Sequence, residues 1–140
     1  IKPGSQWSAI HDTAIRVLTE GMVELGLLAG NVDDLLEQEA YKRFYMHKTG
    51  HWLGLDVHDV GDYSIEGESR VLEPGMVMTV EPGIYIPLKS EGVDKKYLGI
   101  GIRIEDDVLV TESGNRVLTD GVPKTVKEIE ALMAQAWQAA

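Results

Sequence analysis

The sequence predicts an α+β domain with mainly antiparallel strands. Three features carry that expectation. Helical periodicity runs through the first part of the chain, short apolar stretches bounded by Gly and Pro turns fill the middle, and a capped amphipathic segment follows them. At 140 residues, 44% of them apolar, the chain is one domain's worth and long enough to bury a core. It has no internal repeats and no low-complexity tracts.

Lys2-Pro3-Gly4-Ser5 is a turn leading into a helix, with Ser5 placed as its N-cap. Trp7, Ile10, Ala14, Val17, Leu18, Gly21 and Leu25 recur at three- and four-residue steps, which predicts one apolar helix face from about residue 6 to 28. His11 and Asp12 fall off that face and are expected at the surface. Ala29-Gly30-Asn31 ends the helix, and a second, shorter helix is expected from Val32 to about Arg43. After the aromatic patch Phe44-Tyr45-Met46 come His47 and His51. A pair four apart binds one metal when it sits on a helix, but Thr49-Gly50 lies between them and the general-base glutamate of H-E-x-x-H is absent. Both are therefore placed on a loop or extended segment.

Residues 62–70 read as a polar surface loop, and Leu72-Glu73-Pro74-Gly75 as a turn. Met76 to Val80 is a buried strand stopped by Glu81-Pro82-Gly83. Ile84-Tyr85-Ile86 is a short strand, and Pro87 to Tyr97 a charged loop. From Gly99 to Glu105 the pattern alternates, with Ile on one face and Gly, Arg and Glu on the other. Asp106-Asp107 is expected as a hairpin turn, with Val108 to Thr111 as the return strand. Val117-Leu118-Thr119 is a last short strand. Thr125-x-x-Glu128 is a capping box that opens a helix with Ile129, Leu132, Met133, Ala136 and Trp137 on one face.

Composition excludes several functions. There is no cysteine, so disulfide scaffolds, thiolate zinc sites and cysteine nucleophiles are ruled out. A net charge of -10 argues against nucleic acid as a partner, because neutralising phosphates needs clustered Lys and Arg. No apolar run approaches the roughly 20 residues of a membrane span. No signal peptide is visible, and the opening Ile1-Lys2-Pro3-Gly4 reads as the interior of a longer polypeptide. The expected compartment is the cytoplasm.

The chemistry gathers around His51-Trp52-Leu53-Gly54-Leu55-Asp56-Val57-His58-Asp59-Val60-Gly61, where His51 and His58 flank an apolar run. Glu81 ends a strand beside a turn, which holds a carboxylate rigidly. Glu105 alternates with Ile102 and Ile104 and so faces away from the apolar side. One imidazole and two carboxylates suit borderline divalent ions such as Mn, Co or Zn. Taken singly, each signal has an ordinary reading: an acid on a strand pairs with a base, and a histidine beside Trp52 is half-buried packing.

The combination resembles a known family. Tyr45-Met46-His47 with His51 to Gly61 is similar to the metal-histidine segment of the Xaa-Pro aminopeptidases (aminopeptidase P). Leu72 to Val77, Thr79 to Tyr85, Gly101 to Asp107, and Val122-Pro123-Lys124 with Ile129 to Met133 resemble the following blocks in order. Trp52 and Tyr-Met-His favour aminopeptidase P over prolidase. The resemblance implies a pita-bread fold and a two-metal site, usually manganese, with cobalt or zinc as substitutes. It implies His51 and Glu81 as ligands of one ion and Glu105 as a bridge to the second. It implies Glu81 as the proton shuttle, His58 as donor to the scissile carbonyl oxygen, His47 on the side that receives proline, and Arg103 and Tyr85 as supports of the carboxylates.

The family's site also needs two aspartates about a dozen residues apart, upstream of the histidine block. Only Asp12, Asp33 and Asp34 precede it here, and none sits in an apolar strand. Residues 1–140 are therefore expected to be the C-terminal half of a catalytic domain. The expected substrates are peptides with proline at position 2. Alone, the chain is expected to have little activity, to bind metal weakly or not at all, and to expose an apolar seam. That seam would meet another copy or the missing N-terminal half. The alternatives are a prolidase-type dipeptidase, or a non-catalytic or truncated relative acting as a binding module.

Overall fold

The computed structural model describes residues 1–138. Helix α1 spans Ser8–Glu24, and Ser5 does not cap it. Trp7 holds the N-cap position without a side-chain bond, and the Ser8 amide donates instead to Ser69 Oγ at 2.9 Å. The helix stops earlier than the periodicity predicts. Gly26 takes φ +71°, its amide donates to Val23 O, and the Leu27 amide donates to Met22 O at 2.8 Å. That is a Schellman ending, and Leu27 and Met22 pack together in the core behind it. The inward stripe is Ile15, Leu18, Thr19 and Met22, while Val17 is 60% exposed.

The second expected helix divides into two pieces. Helix α2 (Val32–Glu37) is capped by Asn31, whose side chain accepts from the Asp33 and Asp34 amides. Glu39 at φ +52° breaks it, and a 3-10 turn follows over Ala40–Arg43. Residues 62–70 are not plain loop. Strands β1 (Ser64–Ile65) and β2 (Glu68–Ser69) form a small hairpin, closed by Glu66 and Gly67 with positive φ as a primed turn requires.

Five further strands build the scaffold of interest. They are β3 (Val77–Val80), β4 (Gly83–Tyr85), β5 (Gly101–Arg103), β6 (Asp106–Val110) and β7 (Asn115–Val117). All pairings are antiparallel: β6 lies between β3 and β7 in one sheet, and β4 pairs with β5 in another. Asp106-Asp107 is not a hairpin turn. Both residues lie inside β6, Asp106 opposite Val80, and the chain changes sheets just before them. Asp106 is held there by Thr119 Oγ1 at 2.6 Å and Lys124 Nζ at 2.9 Å. Burial alone would raise its carboxyl, but these two partners hold it below the usual aspartate range.

Two apolar clusters lie behind the sheets. One joins Met22, Leu27, Tyr41, Phe44, Tyr45 and Ile86; the other joins Trp52, Leu72, Met78, Val108 and Val110. The capping box forms as expected: the Thr125 amide donates to Glu128 Oε2 at 3.1 Å, and the Glu128 amide donates to Thr125 Oγ1 at 3.3 Å. It opens α3 (Val126–Gln138), but the helix face is not packed: Ile129, Leu132 and Met133 are 46, 53 and 64% exposed. The side chains of Ala136 and Trp137 lie outside the described residues. Among the described residues, no helix is long and apolar enough to cross a membrane.

Candidate metal centre

The strand pairing itself creates the site. Strands β3 and β6 pair up to Val80↔Asp106, and β4 and β5 begin pairing at Gly83↔Arg103. Between these two ladders lie two short links, Glu81-Pro82 and Ile104-Glu105, which face each other as the ribbon passes from one sheet to the next. One backbone bond, Ile104 amide to Pro82 O at 3.3 Å, bridges them. Both acids singled out in the sequence thus stand at the same break in the ribbon.

His51 arrives from the side. Residues 49–51 run along β3 as an irregular extra strand. The Glu81 amide donates to Thr49 O at 2.7 Å, and the Thr79 amide donates to His51 O at 3.0 Å. Gly50 makes this approach possible, because a Cβ there would lie 1.9 Å from the Thr79 carbonyl oxygen. His47 and His51 are accordingly not on a helix, as the intervening Gly predicts.

The outcome is a cluster in which His51, Glu81 and Glu105 each bring a donor atom within 4.8 Å of the other two. His51 Nε2 lies 3.4 Å from Glu81 Oε1, with both side chains mostly buried. His51 Nδ1 is 2.8 Å from Trp52 O, so that nitrogen carries the proton it donates, and a neutral ring turns the Nε2 lone pair toward the carboxylate. Nε2 and the carboxylate oxygen thus point at one shared position. A ring whose far nitrogen is tied to a backbone carbonyl is the usual arrangement of a ligating histidine. The donor set therefore fits a divalent ion.

The other candidates surround this point. His58 is exposed, and its ring lies edge-on to His51 at 4.4 Å between centroids. Arg103 Nη1 is 3.3 Å from Glu81 Oε2, and Arg103 Nε donates to Tyr85 Oη at 2.7 Å. Tyr85 Oη in turn lies 3.0 Å from His47 Nε2. His47 Nδ1 is 2.7 Å from Lys48 O, which makes Nε2 an acceptor, shared by the Tyr85 hydroxyl and by Arg103 Nη2 at 3.2 Å. The bond to Tyr85 raises the Arg103 pKa further. Asp12, Asp33 and Asp34 take no part; Asp33 pairs with Arg16 at 2.8 Å.

Three participants carry no signal in the periodicity. His11, expected at the surface, is half-buried on α1 with Nδ1 2.9 Å from Thr49 Oγ1, and burial, then Lys48, lowers its pKa. Thr49 and Thr79 are each 2% exposed, and each hydroxyl has two partners. Thr79 stands two residues before Glu81 on a strand, hence on the same face, which was a usable clue.

Comparison with known proteins agrees with this picture. The sequence profile of metallopeptidase family M24 matches residues 1–112. The Xaa-Pro aminopeptidase of Haemophilus influenzae is 56% identical over 131 residues, covering 94% of this chain and 30% of that protein. The Escherichia coli Xaa-Pro aminopeptidase is 53% identical over 135 residues, covering 96% and 30%. The solved structure of Pseudomonas aeruginosa aminopeptidase PepP superposes with a TM-score of 0.95 at 64% identity, covering 99% of this chain and 31% of that one. The fold is thus that of aminopeptidase P, and the chain spans less than a third of the length of these relatives.

Proposed function

This chain belongs to metallopeptidase family M24, and from that premise we propose that it is the C-terminal half of the catalytic domain of a metal-dependent aminopeptidase that releases the residue preceding proline. One observation carries the reading: His51, Glu81 and Glu105, distant in sequence, meet at one cation-sized point. Those three would hold the ion, with manganese the metal we assign. When bound, it would activate a water and polarise the scissile carbonyl.

The remaining work belongs to side chains. Glu81 would take the proton of the attacking water and pass it to the leaving proline nitrogen, its carboxylate steadied by Arg103. His58, exposed beside His51, would donate to the carbonyl oxygen as charge builds there. His47 would line the side that receives proline. Its Nε2 accepts from Tyr85 and directly from Arg103, so these side chains link the proline side to Glu81.

A second ion would need donors beyond these three. The apolar surface formed by Leu18, Leu27, Ile84, Ile100, Ile102 and Ile104 encloses a groove of about 370 Å³. We assign it to the part of the longer relatives that this chain does not span.

The test has two arms. Titration with Mn²⁺ should show weak binding that His51→Ala abolishes. Xaa-Pro peptide hydrolysis with added Mn²⁺ should be near background, and turnover comparable with a complete enzyme would overturn the half-domain reading. The His51–Glu81 distance also suits a simple ion pair in a non-catalytic binding module. Failure to bind any divalent ion would favour that reading.

A further inference from the structure

We infer that the Thr79 hydroxyl is the positioning group that fixes His51 and Glu81 relative to each other, so that their donor atoms are set before any ion arrives. The inference rests on the metal-centre reading above. Thr79 lies in the middle of β3 and is 2% exposed. Its Oγ1 accepts from the His51 amide at 3.0 Å and donates to Glu81 Oε1 at 3.2 Å.

The directions of these two bonds are forced. A backbone N–H only donates and an ionised carboxylate only accepts, so the single hydroxyl proton goes to Glu81 and a lone pair to His51. Among the described residues, no other group bonds both His51 and Glu81 through one atom. The backbone of Thr79 adds a third tie, its amide donating to His51 O at 3.0 Å.

The effect is to divide the Glu81 carboxylate into two assigned oxygens. Oε1 is held by Thr79 and turned toward His51 Nε2 at 3.4 Å, while Oε2 faces Arg103 Nη1 at 3.3 Å. Without the hydroxyl, the carboxylate keeps its arginine and is free to rotate Oε1 away from His51. The His51 amide, which lies against β3, loses its acceptor. The β-branched shape of threonine also locks χ1, which keeps the hydroxyl aimed along the strand. Valine at this position would preserve the shape and the packing while removing both bonds.

The experiment uses the full 140-residue chain, labelled with ¹⁵N, as wild type, Thr79→Val and Thr79→Ser. Mn²⁺ binding is followed by paramagnetic broadening of the His51 ring and backbone resonances, and folding by thermal denaturation. Loss of a group that orients a ligand typically weakens metal affinity about 10–100-fold, and Thr79→Val should fall in that range. Thr79→Ser keeps the hydroxyl and loses a buried methyl. It should bind within about threefold of wild type despite a lower melting temperature, which a purely structural role would not produce. In the metal-free chain the His51 amide resonance should shift in Thr79→Val and hold its place in Thr79→Ser.

A folded Thr79→Val chain that binds Mn²⁺ like wild type overturns the inference and leaves the metal centre standing. So does a folded Thr79→Ser chain that loses affinity, which keeps the test open if the valine variant does not fold. Absence of Mn²⁺ binding by wild type removes the metal-centre reading first, and this inference with it.

Discussion

The two sides of the candidate centre are built differently. On one side, His51 and Glu81 are 17 and 13% exposed at the side chain and are tied down by backbone pairing with β3, by Thr79 and by Arg103. On the other, Glu105 is exposed, stands in a link outside either ladder, and makes no side-chain hydrogen bond or ion pair among the described residues. The strand that leads to it, β5, is exposed along its whole length, with Ile102 58% exposed. The contrast separates two kinds of donor. A pair fixed by its own fold needs nothing further to be in place. A lone carboxylate on an uncovered arm depends on whatever packs against that arm.

Four measurements would break or sharpen this contrast. The largest effect belongs to Gly50→Ala on the fixed side. The added methyl meets a backbone oxygen rather than a movable side chain, so a loss of about 3 kcal/mol or more is expected in denaturant unfolding. If Ala is tolerated, the close run of residues 49–51 along β3 is not what holds His51 in place. Next, Glu105→Ala should weaken Mn²⁺ binding at least about 10-fold while leaving stability within about 0.5 kcal/mol, since nothing in the fold leans on that side chain. Measuring both on one sample distinguishes an unsupported donor from a structural one.

Tyr85→Phe removes the hydroxyl that bonds both Arg103 and His47, leaves their direct contact, and should cost about 1 kcal/mol, read by thermal melts. The smallest effect is a pH dependence. Burial lowers the His11 pKa below its unfolded value near 6.5. On acidification the unfolded chain takes the proton first. The stability from neutral His11 is therefore complete above that value and is lost as pH falls through the folded one. His11→Gln should flatten that acid limb of the stability profile. An unchanged limb would mean that the ring does not stay neutral against Thr49.

Much of this was legible because chemistry and secondary structure agreed. Glu81 sits where a buried strand meets Pro-Gly, and His51 where Thr-Gly forbids a helix, and the structure places each in that local setting. The helix faces were less legible. The stop signal of α1 is Gly26, hidden inside a run that keeps helical spacing, so the expected stripe took in Val17 and Leu25 and missed Met22, which is fully buried. Asp106-Asp107 looked like a turn because two adjacent acids disfavour a strand. Lys124 and Thr119, distant in sequence, neutralise that preference for Asp106. Thr79 is hard to read for a similar reason: threonine is a good strand former, and its bond to the His51 amide comes from a segment 28 residues away.

The ribbon between the sheets has a mechanical meaning. Each link has only two residues and carries one donor, so neither acid can follow one sheet without being pulled by the other. Both links join the same two sheets, so the two acids are fastened at one junction between the layers. An ion held by His51, Glu81 and Glu105 would be gripped across that junction, and whatever clamps the two layers together would also set its grip.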